Sequence, residues 1–118
     1  MRSVLALLLS LTATSAGAFE GSYSGDGGGD GSEQSLVIKK NAKGRYTVRV
    51  EVARTGCQGD MTAKGKAKGN TLRVDYNSDG IQCTLTVKKT KSGMTVDEGD
   101  CWVMHGTSCQ FSGNYKRK

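Results

Sequence analysis

Apolar side chains at every second position constrain this chain more than any other feature of it. Tyr46, Val48, Val50 and Val52 fall on one face, and Thr47, Arg49 and Glu51 on the other. Leu72, Val74 and Tyr76 alternate with Thr71, Arg73 and Asp75, and Ile81, Cys83, Leu85 and Val87 alternate with Gln82, Thr84, Thr86 and Lys88. A period of two places one row of side chains in a core and the other in water, which defines a half-buried strand. Shorter runs predict strands over Phe19–Ser24, Ser35–Lys39, Met61–Lys68, Met94–Val96 and Cys109–Lys116. Between the runs stand Asn41-Ala-Lys-Gly44, Gly69-Asn70, Asp79-Gly80 and Lys91-Ser-Gly93, all turn formers because Gly and Asn tolerate positive φ. No window carries a helical stripe. The expected fold is all-β: a small antiparallel meander closing into a roughly eight-stranded barrel, stapled by disulfides.

The first and last runs support closure. They read Phe19-x-Gly21-x-Tyr23 and Phe111-x-Gly113-x-Tyr115, with rings and glycine on one face, a pattern that lets a strand coil tightly. Pairing of these two strands leaves no open sheet edge. The Gly-rich stretch from Gly25 to Ser32 is expected to be a long loop between the first two strands. Its Asp26 and Asp30 lack the spacing of a calcium loop, so a solvated loop is preferred over a cation site.

Residues 1–18 read as a secretory signal peptide: Arg2, an apolar run from Val4 to Leu11, then small residues with Ala16 and Ala18 before the expected cleavage. No later segment is long and apolar enough to span a bilayer, and no cysteine stands at a lipidation position. The expected product is a barrel domain over residues 19–118, exported to the periplasm without a lipid anchor. Without Arg2 the 17 basic residues become 16, against 11 acidic ones, a net charge of +5. That balance favours acidic partners.

No nucleophile elbow, phosphate-binding loop or dinucleotide fingerprint is present, and His105 is the only histidine. A non-enzyme without cofactor or metal is expected. The four cysteines, Cys57, Cys83, Cys101 and Cys109, read as two disulfides in an oxidising compartment. Three pairings are open; Cys57–Cys83 across the interior with Cys101–Cys109 closing a small loop is preferred. A zinc reading of Cys101, His105 and Cys109 requires a helix, and Gly106 with Thr107 argues against one.

The segment from Cys101 to Cys109 holds the sole tryptophan. Trp102 beside Val103, Met104 and His105 has the composition of a binding hot spot on a pre-organised loop. The preferred alternative buries Trp102 as a plug in one end of the barrel. Lys64, Lys66, Lys68, Arg73 and Lys88 form a basic stripe on outer sheet positions. Solvated lysines are the plain reading of it, and contact with lipopolysaccharide or another anionic polymer is the functional one. No aromatic residues interleave them, so a nucleic-acid partner is not expected.

The exported eight-strand pattern, the cysteines and the closing Ser112-Gly113-Asn114-Tyr115 resemble the bacterial inhibitors of c-type lysozyme, the PliC/MliC family. That resemblance implies a small antiparallel β-barrel in a Gram-negative periplasm. The family's S-G-x-x-Y loop enters the lysozyme cleft, which places Ser112, Gly113 and Tyr115 with Trp102–His105 at the partner. Three functions are therefore expected as competitors. They are a protein inhibitor directed at c-type lysozyme, an envelope protein that contacts lipopolysaccharide or peptidoglycan through the basic face, and a lipocalin-like carrier of one small ligand. The carrier is weakest, because Tyr23, Tyr46, Tyr76, Phe111 and Tyr115 would fill a barrel of this size.

Overall fold

A computed structural model describes residues 19–118; the expected signal peptide, residues 1–18, lies outside them. Eight strands follow one another: β1 (Gly21–Gly25), β2 (Glu33–Lys40), β3 (Tyr46–Arg54), β4 (Cys57–Lys68), β5 (Thr71–Ser78), β6 (Ile81–Lys89), β7 (Met94–Gly99) and β8 (Gly113–Arg117). Each pairs antiparallel with the next, and β8 returns to β1, so the meander is a closed barrel. The closing ladder matches Tyr23 with Arg117 and Gly25 with Tyr115.

The alternation dictates what lies inside. Leu36, Ile38, Val48, Val50, Leu72, Val74, Leu85, Val87 and Val96 are all fully buried. Each such aliphatic side chain contributes about 1.5–3 kcal/mol relative to exposure. The register keeps them in layers, with Val50 opposite Leu36 on one side and Met61 on the other. Tyr23, Phe111 and Tyr115 fill much of the remaining interior, while Tyr76 is only partly buried against it. The two Phe-x-Gly-x-Tyr segments do face inward together. Side chains at Gly21 and Gly113 would strike Arg117 and the Asp26–Gln34 pair respectively, so each glycine leaves room for a polar group that ties the closing strands.

Two expectations about the last third of the chain are corrected. The strand expected over residues 109–116 begins only at Gly113, because Cys109 to Ser112 belong to a connection that crosses the barrel mouth. A one-turn helix, α1 (Trp102–His105), forms within that connection and stops at Gly106, whose φ of 97° only glycine adopts without strain.

The cysteine pairing is also different. All four are oxidised, but as Cys57–Cys109 and Cys83–Cys101. Cys57 opens β4 and Cys83 lies in β6, with β5 between them. Strands separated by one neighbour are roughly 9–10 Å apart, well beyond the Cα separation a disulfide tolerates. The crossing segment instead carries a cysteine to each wall, with Cα–Cα distances of 6.0 Å at Cys57–Cys109 and 4.7 Å at Cys83–Cys101.

Candidate functional site

A meander sends alternate connections to opposite ends of its barrel. One end receives the β1–β2 loop, the β3–β4 and β5–β6 turns and the long β7–β8 connection with α1. There the two disulfides pin the ends of the segment 101–109 to separate strands, Cys101 to β6 and Cys109 to β4. Between those anchors Trp102 is 60% exposed and Val103 50%, and they are the exposed large hydrophobic residues of the described chain. The inward plug expected of Trp102 is therefore corrected. Its helical position points it away from a core that His105 and Phe111 already occupy.

His105 is the residue that turns inward. Its ring meets Phe111 edge to face at 4.8 Å between centroids. Nε2 lies 2.8 and 3.0 Å from the two carboxylate oxygens of Glu98, and Nδ1 lies 2.6 Å from the Gly106 carbonyl. Both nitrogens thus face oxygen acceptors, and the ring is held between the β7 carboxylate and the end of α1. The Phe111 N–H donates to Glu98 Oε1 at 2.6 Å, and the Glu98 N–H donates to the Ser112 hydroxyl at 3.0 Å. Glu98 points inward from β7 and fastens the crossing segment beneath α1. Asp100 is the turn residue, at a φ of 58°.

Below α1 lies Gly59 of β4. A methyl group there would collide with the Met104 carbonyl and with His105, so glycine lets the helix sit directly on the strand. Met104 borders an open groove with Glu51, Gln58 and Asp60.

The family-like segment lies largely inside the end of the barrel. Tyr115 is buried, with its hydroxyl 2.7 Å from the Phe111 carbonyl, and Gly113 faces the Asp26–Gln34 cluster. Ser112 bonds Glu98 through its hydroxyl and Gln34 through its carbonyl, at 2.9 Å for the latter. These residues support the end of the barrel from within; neither Tyr115 nor His105 offers its side chain to a partner. Trp102 and Val103 are exposed and Met104 is half-buried.

Sequence reasoning passed over Gln34, which alternation marks as inward and which is buried. Its Oε1 accepts from the Gly27 N–H at 2.8 Å, and Nε2 donates to the Gln110 and Ser112 carbonyls, both at 2.9 Å. The signal was a polar residue in phase with Leu36 and Ile38.

The Gly-rich loop is ordered by its aspartates. Asp26 accepts from the backbone N–H groups of Asn114 and Gly28 at 3.0 and 2.9 Å, which holds its carboxyl below the usual range. Asp30 accepts from the Ser32 N–H at 2.8 Å. Asp30 thus serves the loop's own backbone and Asp26 both the loop and β8, and no group of three metal-ligating side chains occurs among the described residues. The zinc reading also fails, because both of its cysteines are in disulfides.

The opposite end is built from the β2–β3, β4–β5 and β6–β7 turns. Charge is unequal between the two, although Glu20, just before β1, is a carboxylate at this end and accepts from the Lys40 N–H at 3.3 Å. The segments 36–50, 61–74 and 80–96, which contain those three turns, hold no carboxylate at all. The connections at the α1 end hold neither lysine nor arginine; Arg54, the last residue of β3, stands 3.5 Å from Asp30. On the outer sheet, Lys66 stands opposite Arg73, and Lys88 opposite Thr71. Lys64, however, faces Asp75, which also lies 3.9 Å from Arg73. The stripe that includes Lys68 therefore weakens at mid-barrel and grows toward the turns.

Comparisons with protein-family models, with curated proteins and with solved structures find no significant match to this chain. No helix among the described residues is long and apolar enough to cross a membrane.

Proposed function

We propose that the protein is an exported, periplasmic binding protein that docks a basic protein partner through the α1 end, with c-type lysozyme the leading target. One observation carries this reading: Trp102 and Val103 are held in water on a helical turn with a cystine on either side. An exposed tryptophan on a braced segment makes an effective anchor, because little conformational entropy remains to be lost on binding. Carboxylates surround it. Asp97 and Asp100 precede α1, and Glu51 and Asp60, both bridged by Arg49 at 3.0 Å, line the groove beside Met104. A net-basic chain thereby presents an acidic face, and that face complements a basic partner. Catalysis has no part in the reading, since the single histidine is engaged by Glu98 and Gly106.

The test is inhibition and direct binding of c-type lysozyme by the purified protein, for the parent and for Trp102→Ala. The expected outcome is complex formation that persists at high salt with slower association, because salt screens steering more than shape. Trp102→Ala should weaken binding by at least about 2 kcal/mol. A parent that neither binds nor inhibits lysozyme, or a folded Trp102→Ala protein that binds as the parent does, would overturn the proposal.

A further inference from the structure

The cationic end of the barrel is an interaction surface of its own. Three separate connections converge there, and the exposed charges they bring include Lys43 and Arg45 from β2–β3, Lys68 from β4–β5 and Lys91 from β6–β7. Two more lysines are set over the mouth by aromatic rings. Lys89 Nζ sits 4.9 Å from the Phe19 centroid, and Lys40 Nζ 5.8 Å from that of Tyr46. Phe19 and Tyr46 are themselves buried and packed edge to face at 5.7 Å. The rings fix where the ammonium groups stand without emerging to contact a ligand.

We propose that this end adsorbs to a phosphate-rich anionic lipid surface and orients the barrel with α1 facing away from it. The geometry favours a surface over a linear polyanion. The cations stand on three turns around a barrel mouth rather than along a groove, and no exposed aromatic ring among them would stack on bases. Among the described residues no large apolar side chain is exposed at this end either, so the attachment is electrostatic and reversible. A cleft of about 250 Å³ between the β6–β7 turn and the last strand, lined by Lys89, Thr90, Lys91, Ser92 and Arg117, has room for one phosphate group. Repulsion of the carboxylates at the far end acts in the same sense as attraction at this one. The lone tryptophan is then held a barrel's length from the lipid. This inference is independent of any lysozyme binding, because it uses none of the same residues.

The experiment is co-sedimentation of the purified protein with phosphatidylglycerol-containing vesicles and with neutral phosphatidylcholine vesicles. Each cation near an anionic surface contributes roughly fivefold to partitioning. Binding should appear only on the anionic vesicles and fall at least about tenfold between roughly 0.05 and 0.3 M salt. Two variants carry the same change in net charge. Lys43→Glu with Lys91→Glu should lose at least about tenfold in binding. Gln58→Glu, Asn77→Asp, Ser78→Glu and Gln82→Glu together, all exposed and at the α1 end, should bind nearly as the parent does. Circular dichroism and melting temperature establish that both variants fold. Brominated lipid should leave Trp102 fluorescence unquenched. Equal losses in both variants, quenching of Trp102, or retention on heparin or DNA without vesicle binding would each overturn the proposal.

Discussion

The Tyr115 hydroxyl donates to the Phe111 carbonyl four residues earlier, at 2.7 Å inside the barrel. Tyr23 repeats the bond to Phe19 at 2.8 Å. Each bond satisfies a buried phenol locally and bends the chain as it enters one of the two strands that close the barrel. The repeated Phe-x-Gly-x-Tyr motif thus encodes a hydrogen-bonded corner as well as a pair of core rings.

Burial raises the pKa of both phenols above the ordinary tyrosine value of about 10. For Tyr115, nearby Asp26 and Glu98 push further in the same direction, whereas Arg117 partly opposes the shift at Tyr23. A raised folded value means that the protonated form is favoured by folding. Its contribution is complete below pH about 10 and is lost as pH rises toward the folded values. Alkaline titration followed by melting temperature should show stability falling from about that pH, and Tyr115→Phe should flatten the decline. The same substitution at neutral pH should cost about 1 kcal/mol for the lost bond. A stability that stays level through pH 11 contradicts this account.

Strand existence was legible because period two survives in nearly every strand, and closure was legible in the matched end motifs. Cysteine pairing was not, since it depends on how residues 100–112 cross the mouth, and no local pattern states that. The inward turn of His105 and Glu98 was hidden for the same reason. The two-ended charge division was present in the sequence, as lysine-bearing and carboxylate-bearing connections in alternation. It becomes visible only once alternate turns are assigned to opposite ends.

Proteolytic mapping of the native protein should recover peptides joined through Cys57–Cys109 and through Cys83–Cys101. The closed loops span 52 and 18 residues, so the chain-entropy model assigns them about 4 and about 3 kcal/mol. Replacing the Cys57–Cys109 pair by serines should therefore cost more than replacing the other. Recovery of a Cys101–Cys109 peptide would refute the crossing arrangement at the barrel mouth.

Asp26 ties the Gly-rich loop to β8 through the Asn114 backbone and side chain. Because its folded pKa is lowered, this stabilisation is present above the usual carboxylate range and disappears as pH falls through the folded value. Asp26→Ala should cost about 0.5–2 kcal/mol at neutral pH, as loss of a capping carboxylate does. It should also reduce the acid sensitivity of unfolding. A melting temperature with the same acid dependence in both proteins would show that the loop is held by other contacts.

The last prediction separates support from contact at the α1 end. The side chain of His105 is 3% exposed and that of Glu98 14%, and His105 Nε2 lies 2.8 Å from the Glu98 carboxylate. Removing one partner of a buried hydrogen bond leaves the other unsatisfied and typically costs about 1–3 kcal/mol. His105→Ala also empties the space against Phe111, so it should lower stability by at least about 2 kcal/mol. Trp102 is one turn away but faces water, and Trp102→Ala should change stability by no more than about 0.5 kcal/mol. If α1 is a braced platform, the two substitutions act on different observables. His105→Ala lowers the melting temperature and loosens the platform, whereas Trp102→Ala spares the melting temperature and affects partner binding alone. Urea denaturation of both variants, read by far-ultraviolet circular dichroism, measures the difference directly. Equal destabilisation by the two would mean that Trp102 packs into the fold, and the platform account would fail.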